Sequence, residues 1–382
     1  MSLRVCYFGT YRAEYARNQI LIEGLRRAGL EVVECHEGLW RGVEDRVQTA
    51  SGGWKKPSFW WRVILIYAKL LKRYRKVGAY DVLVVGYPGH LDVFLGRLLS
   101  RLSGKPLVWD VLNSLYLISC ERGIQQRSPF TVKLIRWVER AALRLPDLLL
   151  LDTPQFVAWF EQTHRMDGRK FRLVQIGADD RFFQPIQPAV KTPDSRFRVI
   201  YYGSYIPNHG VETIIEAARL LRDEAIDFEM VGEGPELPGA QSLAKAYHLN
   251  HVHFKRWLPR EQLAQQIAEA DVVLGVFGLT QQNLLTNNNK IYEGFAMRKA
   301  VITARTPALP EQLQHGVHLY LCERGDAASL AEGIRALHAD PGLRQHLAEN
   351  GYRIFRAAFD VTHIGQQFAT HLKELVEKRR VA

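Results

Sequence analysis

Short apolar runs alternate with segments of helical periodicity along the whole chain. This alternation is typical of α/β proteins with parallel sheets. In the first half, strands are predicted at 3–8, 31–35, 81–86, 106–109, 148–152 and 172–176. A second series follows, with strands predicted at 198–202, 228–231, 252–254, 271–276 and 300–304. The pattern predicts two doubly wound parallel-sheet domains in tandem.

A proline-rich stretch separates the two series of strands. We predict an N-terminal domain over 1–184, a linker over 185–194, and a C-terminal domain over 195–358. A final helix over 359–382 follows, with packing back onto the N-terminal domain as one option. The length of 382 residues suits two domains. Neither first strand is followed by G-x-G-x-x-G, which disfavours a dinucleotide-binding enzyme.

Charge is distributed unevenly along the chain. Residues 1–190 carry 29 Lys/Arg and 18 Asp/Glu, whereas the rest carries 22 of each, so the first half holds the whole net charge of +11. That half is expected to meet a negatively charged partner. Four scattered cysteines without C-x-x-C indicate a reducing compartment and no structural metal. No signal peptide or apolar run of about 18–20 residues occurs, so we expect a cytoplasmic protein.

The segment 287–303 carries the most informative polar residues. After two asparagines, Asn289, Lys290 and Glu293 begin a predicted short helix, and Lys290 and Glu293 share one face of its first turn. The asparagine side chains are expected to cap this helix. A helix N-terminus suits a phosphate, and a carboxylate can accept two hydrogen bonds from a ribose diol. We interpret these residues as half of a nucleotide-sugar site.

Other polar loops of the second domain also follow predicted strands, where ligands of parallel sheets collect. Glycines in the loop 202–210 would let the backbone approach a diphosphate, and the segment 254–259 would shelter a base, with Trp257 as a stacking surface. Each loop alone is as easily structural as functional, but their order along the domain favours a ligand site. The donor-side candidates outside the helix are Gly203, Ser204, Tyr205, His209, Gly232 and Trp257 in these loops, and Gly9 after the first strand of the first domain.

The order of these motifs resembles glycosyltransferase family 4. That family has the GT-B fold, in which two Rossmann-like domains face a central cleft. The resemblance covers essentially the whole chain and is strongest over 199–304. It implies a retaining transfer of sugar from a nucleotide donor without a metal, and no D-x-D motif is present. The motifs are Tyr202-Gly203-Ser204, His209-Gly210, Gly232-Glu233-Gly234-Pro235, Asn289-Lys290-Ile291-Tyr292-Glu293, Ala300-Val301-Ile302, and the interdomain signature around Gly177 and Pro185.

The resemblance also implies roles for single residues. Glu293 matches the second Glu of the family's E-x7-E motif and would hold the ribose, while the first Glu is replaced by Leu285. Lys290 matches a variant motif, N-K-x-Y-E. The family's usual Arg and Lys on the diphosphate are absent here, unless His209 is protonated. Lys290 is therefore expected to be the main cation on the diphosphate, and Lys290 and Glu293 are predicted to be catalytic.

The first domain offers candidates after its strands. Asp110 occupies a position where relatives often carry a His that touches the donor sugar, which implies a catalytic role for Asp110. A helix N-cap is the alternative. Arg12, His90 and Asn113 are predicted on the acceptor side. For Arg12 the alternative is a solvated side chain, and for His90 it is capping or packing.

The segment 54–76 carries eight Lys/Arg and no acid, interleaved with aromatic residues. We expect it to form a helix that docks on an anionic membrane surface near a lipid-linked acceptor. A core-packing helix with a solvated basic edge is the alternative. Nucleic acid is not expected, because no nucleic-acid-binding module accompanies the patch.

Together these features predict a hexosyltransferase-type enzyme. It would transfer a sugar from a nucleotide diphosphate sugar to a lipid-linked or glycan acceptor in cell-envelope polysaccharide or glycolipid biosynthesis. No cofactor or metal is expected, and the enzyme would lie peripherally on the inner face of the membrane. Two rivals are a GT-B sugar-nucleotide epimerase and a non-catalytic protein that binds nucleotide sugars or membranes.

Overall fold

The computed structural model describes residues 2–39, 56–187 and 195–381. They form two compact units. The first unit extends to Gln175, before the predicted domain limit at 184, and includes the chain from Val361 onward. The second unit covers Ile176–Asp360. Most of the predicted linker, 188–194, lies outside the described residues.

The first unit contains a six-stranded parallel sheet in the order β2-β1-β3-β4-β5-β6. Its strands are nearly continuous apolar runs because helices cover both faces of the sheet. The strands are β1 (Arg4–Gly9), β2 (Glu31–His36), β3 (Val82–Val85), β4 (Leu107–Asp110), β5 (Leu148–Leu151) and β6 (Phe171–Leu173). The helices are α1 (Ala16–Arg27), α2 (Pro57–Tyr74), α3 (Asp92–Ser103), α4 (Leu115–Glu121), α5 (Ile124–Arg127), α6 (Pro129–Arg144) and α7 (Pro154–His164).

The second unit contains another six-stranded parallel sheet, in the order β12-β11-β10-β7-β8-β9. Its strands are β7 (Phe197–Ser204), β8 (Ile226–Glu233), β9 (Val252–Lys255), β10 (Val272–Leu274), β11 (Ala300–Ala304) and β12 (Tyr320–Cys322). Its helices are α8 (Val211–Leu220), α9 (Leu237–Ala246), α10 (Arg260–Glu269), α11 (Gln281–Leu285), α12 (Asn289–Ala296), α13 (Ala327–Ala339) and α14 (Pro341–Ile354). The predicted fold class, two doubly wound parallel sheets, is confirmed. Strand β12 was missed, because three residues at a sheet edge show no periodicity.

The last helix, α15 (Val361–Val381), belongs to the first unit and packs on α1. The two backbones meet at a pair of glycines. A Cβ added to Gly365 would lie 2.0 Å from the carbonyl oxygen of Gly24. Apolar side chains of α15, including Phe368 and Leu372, complete the core on this face of the sheet. No helix in the described part of the chain has the length and apolar composition to cross a bilayer.

The glycine contact predicts a specific stability defect. Gly365→Ala should lower the free energy of unfolding of the first unit by about 1–3 kcal/mol, because the new methyl group meets the backbone of α1. Gly239→Ala on α9 is the control, since no atom lies within 4 Å of the added Cβ. It should leave stability unchanged or raise it by up to about 1 kcal/mol. Urea unfolding measures both, and equal midpoints for the two variants would contradict the close packing.

Candidate active site

Glycines bring the loops after β7, β8 and β10 together in the second unit. A Cβ on Gly232 would lie 2.0 Å from the carbonyl oxygen of Gly203, so the ends of β7 and β8 touch. A Cβ on Gly210 would lie 2.5 Å from the amide nitrogen of Gly278. The amide of Phe277 also donates to the carbonyl of His209 at 3.0 Å. The carboxyl edge of this sheet is therefore closely packed around the loop after β7.

Lys290 lies at the start of α12 and points to this loop. The helix is buried from Lys290 onward. A Cβ on Gly203 would lie 3.1 Å from Lys290 Nζ, so a side chain at this position would crowd the ammonium. Nζ also lies 3.4 Å from His209 Nε2 and 5.5 Å from the centroid of the Tyr201 ring. Burial lowers the pKa of Lys290 to about 8, although Glu293 favours the charged form.

His209 is a neutral partner of Lys290. Burial, followed by the neighbouring Lys290 ammonium, lowers the pKa of His209 well below its ordinary value. The Tyr201 hydroxyl donates to the Ser204 carbonyl at 3.2 Å and lies 2.7 Å from His209 Nδ1. This network assigns the ring proton to Nδ1 and leaves Nε2 to accept from Lys290. A neutral His209 supplies no cation, so Lys290 remains the cation that we expect on the diphosphate.

Glu293 lies one turn after Lys290 and is buried. Burial raises the pKa of its carboxyl above the ordinary value. The nearby Tyr202 hydroxyl and the charges of Lys290 and Arg260 oppose this shift. Burial and Glu293 in turn raise the pKa of Tyr202. A buried acceptor with these neighbours is suited to receive hydrogen bonds from ligand hydroxyl groups.

Sequence reasoning missed the groups around Glu293. Arg260 begins α10, and its Nη1 lies 3.9 Å from the Asp179 carboxylate. Arg181 binds the same carboxylate through Nε at 2.8 Å and Nη2 at 2.7 Å. Both guanidinium groups lie over the Phe182 ring. The available signal was that Arg260 follows β9 at the carboxyl edge of the sheet, like the other candidates.

The amide run before α12 does not cap the helix as expected. Asn288 occupies the N-cap position but makes no side-chain capping bond. Asn287 Nδ2 instead donates to the Tyr292 hydroxyl at 2.5 Å. Within the described residues, the buried Asn288 Oδ1 has no hydrogen-bond partner. The first turn of α12, which begins at Asn289, keeps N–H groups that the Asn288 side chain does not satisfy.

The other donor-side candidates of the second unit differ in burial. Tyr205 is fully buried in the hydrophobic core, so its side chain is a packing residue. Trp257 is exposed, next to Arg256, whose Nε lies 2.9 Å from Glu233. Leu285 is buried in α11. The structure thus brings together Gly203, Ser204, His209, Gly232, Asn289, Lys290 and Glu293. The Tyr205 ring lies in the core, and base stacking by the exposed Trp257 remains a prediction.

Asp110 is placed differently from the expectation. Its carboxylate is fully buried at the end of β4. Arg17 on α1 donates to Asp110 Oδ1 through Nη2 at 3.0 Å and to Oδ2 through Nε at 3.2 Å. Arg17 also donates to the carbonyls of Val174 and Gln175. Asp110 is therefore half of a structural ion pair and offers no oxygen to a sugar. It is not the helix N-cap either, since Ser114 caps α4.

His90 belongs to a buried polar cluster around Glu139 of α6. His90 Nε2 lies 3.1 Å from Glu139 Oε1, and His164 Nε2 lies 3.1 Å from Oε2. Ser114 Oγ and the Leu115 amide each donate to Glu139 at 2.7 Å. Burial alone would raise the pKa of Glu139, but the contacts with the two histidines outweigh it and lower the pKa to about 2. This arrangement agrees with the alternative that His90 is a packing residue.

The other first-unit candidates occupy separate places. A Cβ on Gly9 would lie 2.6 Å from Asp92 Oδ2, so a carboxylate already fills that turn. Arg12 Nε donates to Glu14 at 3.4 Å. Asn113 is half-buried in a tight turn in which its backbone N–H donates to the Val111 carbonyl. Within the residues that the structure describes, no three His, Cys, Asp or Glu side chains are grouped as metal ligands.

Known proteins resemble this chain in sequence and in fold. Residues 183–354 match the family Glycosyl transferases group 1. Alpha-D-kanosaminyltransferase of Streptomyces kanamyceticus is 24% identical over 339 residues, which cover 85% of this chain and 83% of that protein. HepE of Anabaena, solved in complex with UDP, is 17% identical with a TM-score of 0.69, covering 98% of this chain and 100% of HepE. Sucrose-phosphate synthase of Thermosynechococcus elongatus is also 17% identical, with a TM-score of 0.75 and coverage of 99% and 100%.

These matches support an assignment to the group 1 glycosyl transferases, and the direct match to that family covers residues 183–354. Its two sheets have the fold of the Rossmann-like domains of GT-B glycosyltransferases. The predicted enzyme class, a glycosyltransferase, is confirmed.

The Glu139 cluster predicts how stability depends on pH. The pKa of Glu139 in the folded protein is about 2, against an ordinary value of 4.5. The cluster therefore contributes about 3 kcal/mol to the free energy of unfolding above about pH 4.5. This contribution is lost as the pH falls towards 2. The urea midpoint of Glu139→Gln should lie below wild type at pH 7, and the gap should narrow in acid. Exposed Glu332→Gln is the control, and a gap independent of pH would contradict the assignment.

Proposed function

We propose that this glycosyltransferase binds a nucleoside diphosphate sugar at the carboxyl edge of the second sheet. Lys290 would hold the diphosphate, and Glu293 would accept hydrogen bonds from the ribose hydroxyls. One observation carries the proposal: the buried Lys290 ammonium lies against the backbone of Gly203, beside a neutral imidazole. A desolvated cation in such surroundings is stabilised most by an anionic ligand.

The same residues would assist the reaction. As the bond to the sugar breaks, negative charge builds up on the departing nucleoside diphosphate, and Lys290 would neutralise part of it. Amides in the first turn of α12 would add the positive end of the helix dipole. This arrangement requires no metal ion, and we propose a retaining transfer. Solved structures of HepE with UDP and with UDP-glucose support the choice of donor class.

The acceptor is proposed to be lipid-linked or a glycan. The first unit holds the net positive charge of the chain, and its helix α2 has exposed indoles at Trp60 and Trp61 beside basic residues. These features support docking of the segment 54–76 on an anionic membrane surface. The cellular role would be synthesis of an envelope polysaccharide or glycolipid. Analysis of products separates transfer from epimerisation, since an epimerase would release an isomeric sugar nucleotide without using an acceptor.

Nucleotide binding tests the two residues separately. Calorimetry with UDP should show about 10–100-fold weaker binding for Lys290→Ala, because a charge-assisted contact to phosphate is lost. The same variant should bind uridine as wild type does. Glu293→Ala should weaken UDP and uridine equally, because both carry the ribose.

The control is Lys245→Ala, an exposed lysine on α9 of the same unit. It should bind UDP like wild type. If Lys290→Ala weakened uridine as much as UDP, Lys290 would not hold the diphosphate. If no nucleoside diphosphate bound the wild-type protein, the donor class itself would be wrong.

A further inference from the structure

Exposed apolar residues are concentrated on three helices of the first unit. Among the described residues, twelve large apolar side chains are exposed, and nine of them lie on α2, α3 and α6. Large exposed apolar patches mark interaction surfaces. The nine are Trp60, Trp61, Ile64, Leu65, Phe94, Leu98, Leu102, Phe130 and Trp137.

The three helices cover the same face of the sheet. Phe8, Val85 and Trp109 form one row across β1, β3 and β4. Tyr74 at the end of α2 packs edge-on against Phe8. On α3, a Cβ on Gly96 would lie 3.1 Å from Val85. His90 packs edge-on against Trp109 and contacts Glu139 of α6. The order of these contacts places α2, α3 and α6 side by side.

On α3, exposed apolar residues form a stripe on the side of the helix that faces away from the core. Phe94, Leu98 and Leu102 are four residues apart, so they line one side of the helix. Their exposed fractions are 41%, 55% and 77%. The opposite side of α3 packs on the sheet through Val93, Gly96 and Leu99. On α6, Phe130 and Trp137 are seven residues apart and share a side in the same way.

The exposed surface of these helices is basic as well as apolar. Ten Lys/Arg occur on them: four on α2, two on α3 and four on α6. Their two acids, Asp92 and Glu139, are each 1% exposed. A second copy of such a face would be repelled by like charge, whereas anionic lipid headgroups are complementary to it. A depression along α2 is lined by four basic residues, Lys69, Lys72, Arg73 and Lys76, and by Glu37, which is paired with Arg73.

We propose that α3 and α6 form, with α2, one docking face for an anionic membrane. Leu98, Leu102 and Trp137 enter the boundary between headgroups and acyl chains, while basic residues beside them bind the headgroup phosphates. This inference rests on one part of the proposed function, namely that the acceptor is lipid-linked. It extends the membrane contact well beyond the segment 54–76.

Sedimentation of the full chain with lipid vesicles tests the proposal. Vesicles of phosphatidylcholine with phosphatidylglycerol should bind the wild-type protein, and phosphatidylcholine alone should bind it far more weakly. The double variant Leu98→Ser, Leu102→Ser should reduce partitioning at least about tenfold, because two apolar side chains no longer leave water. The control double variant Leu220→Ser, Leu279→Ser alters two exposed leucines of the second unit and should bind as wild type.

A second pair of variants tests the charges. Arg101→Gln with Lys133→Gln should weaken binding to the anionic vesicles, whereas Arg222→Gln with Lys245→Gln in the second unit should not. Thermal stabilisation by UDP should be the same in all variants, which shows that each one is folded. That readout also separates this inference from the donor site.

Two results would overturn the inference. In the first, the α3 double variant binds vesicles as wild type does while Trp61→Ser on α2 reduces binding, so that α2 docks alone. In the second, the wild-type protein ignores the vesicles and analytical ultracentrifugation finds a dimer that the α3 variant dissociates. The face would then bind a second copy of the chain.

Discussion

The ammonium of Lys290 lies buried against the backbone of Gly203, and the surrounding loops are arranged around that contact. Gly203 adopts a φ of 142°, a conformation that favours glycine, and a side chain there would crowd the ammonium. Gly232 has to be a glycine because it touches Gly203 in turn. Burying an ammonium costs free energy unless it is compensated. His209 compensates only in part, since a neutral imidazole accepts one hydrogen bond and carries no charge.

The first unit separates its charges in a way that the sequence alone does not reveal. Asp92, Asp110 and Glu139 are all buried. Asp92 accepts from Thr10, Asp110 pairs with Arg17, and Glu139 contacts His90. Many of the basic side chains remain at the surface. The outward charge of α2, α3 and α6 is therefore entirely positive, because the only acids on these helices face inward. Tyr67 of α2 donates to buried Asp92 at the start of α3, which fastens the two helices together.

The fold and part of the site could be predicted because their signals are local. Apolar runs identified the strands, and the spacing of Lys290 and Glu293 within one helical turn predicted that they belong to one site. The pairing of Asp110 with Arg17 spans 93 residues of sequence and leaves no local signal. Arg260 likewise looks like an ordinary first residue of an amphipathic helix until folding brings it near Glu293. Tyr205 failed as a candidate because its loop position gave no hint that the ring turns into the core.

Titration of the Lys290 ammonium shows whether this buried cation binds a diphosphate. Heteronuclear NMR of protein labelled with ¹⁵N-lysine would follow its Nζ, assigned by the loss of that signal in Lys290→Arg. We predict a pKa of about 8 for Lys290 in the free protein and a clear rise on addition of UDP, because a bound diphosphate favours the charged form. An ordinary lysine pKa in the free protein, unchanged by saturating UDP, would contradict this prediction.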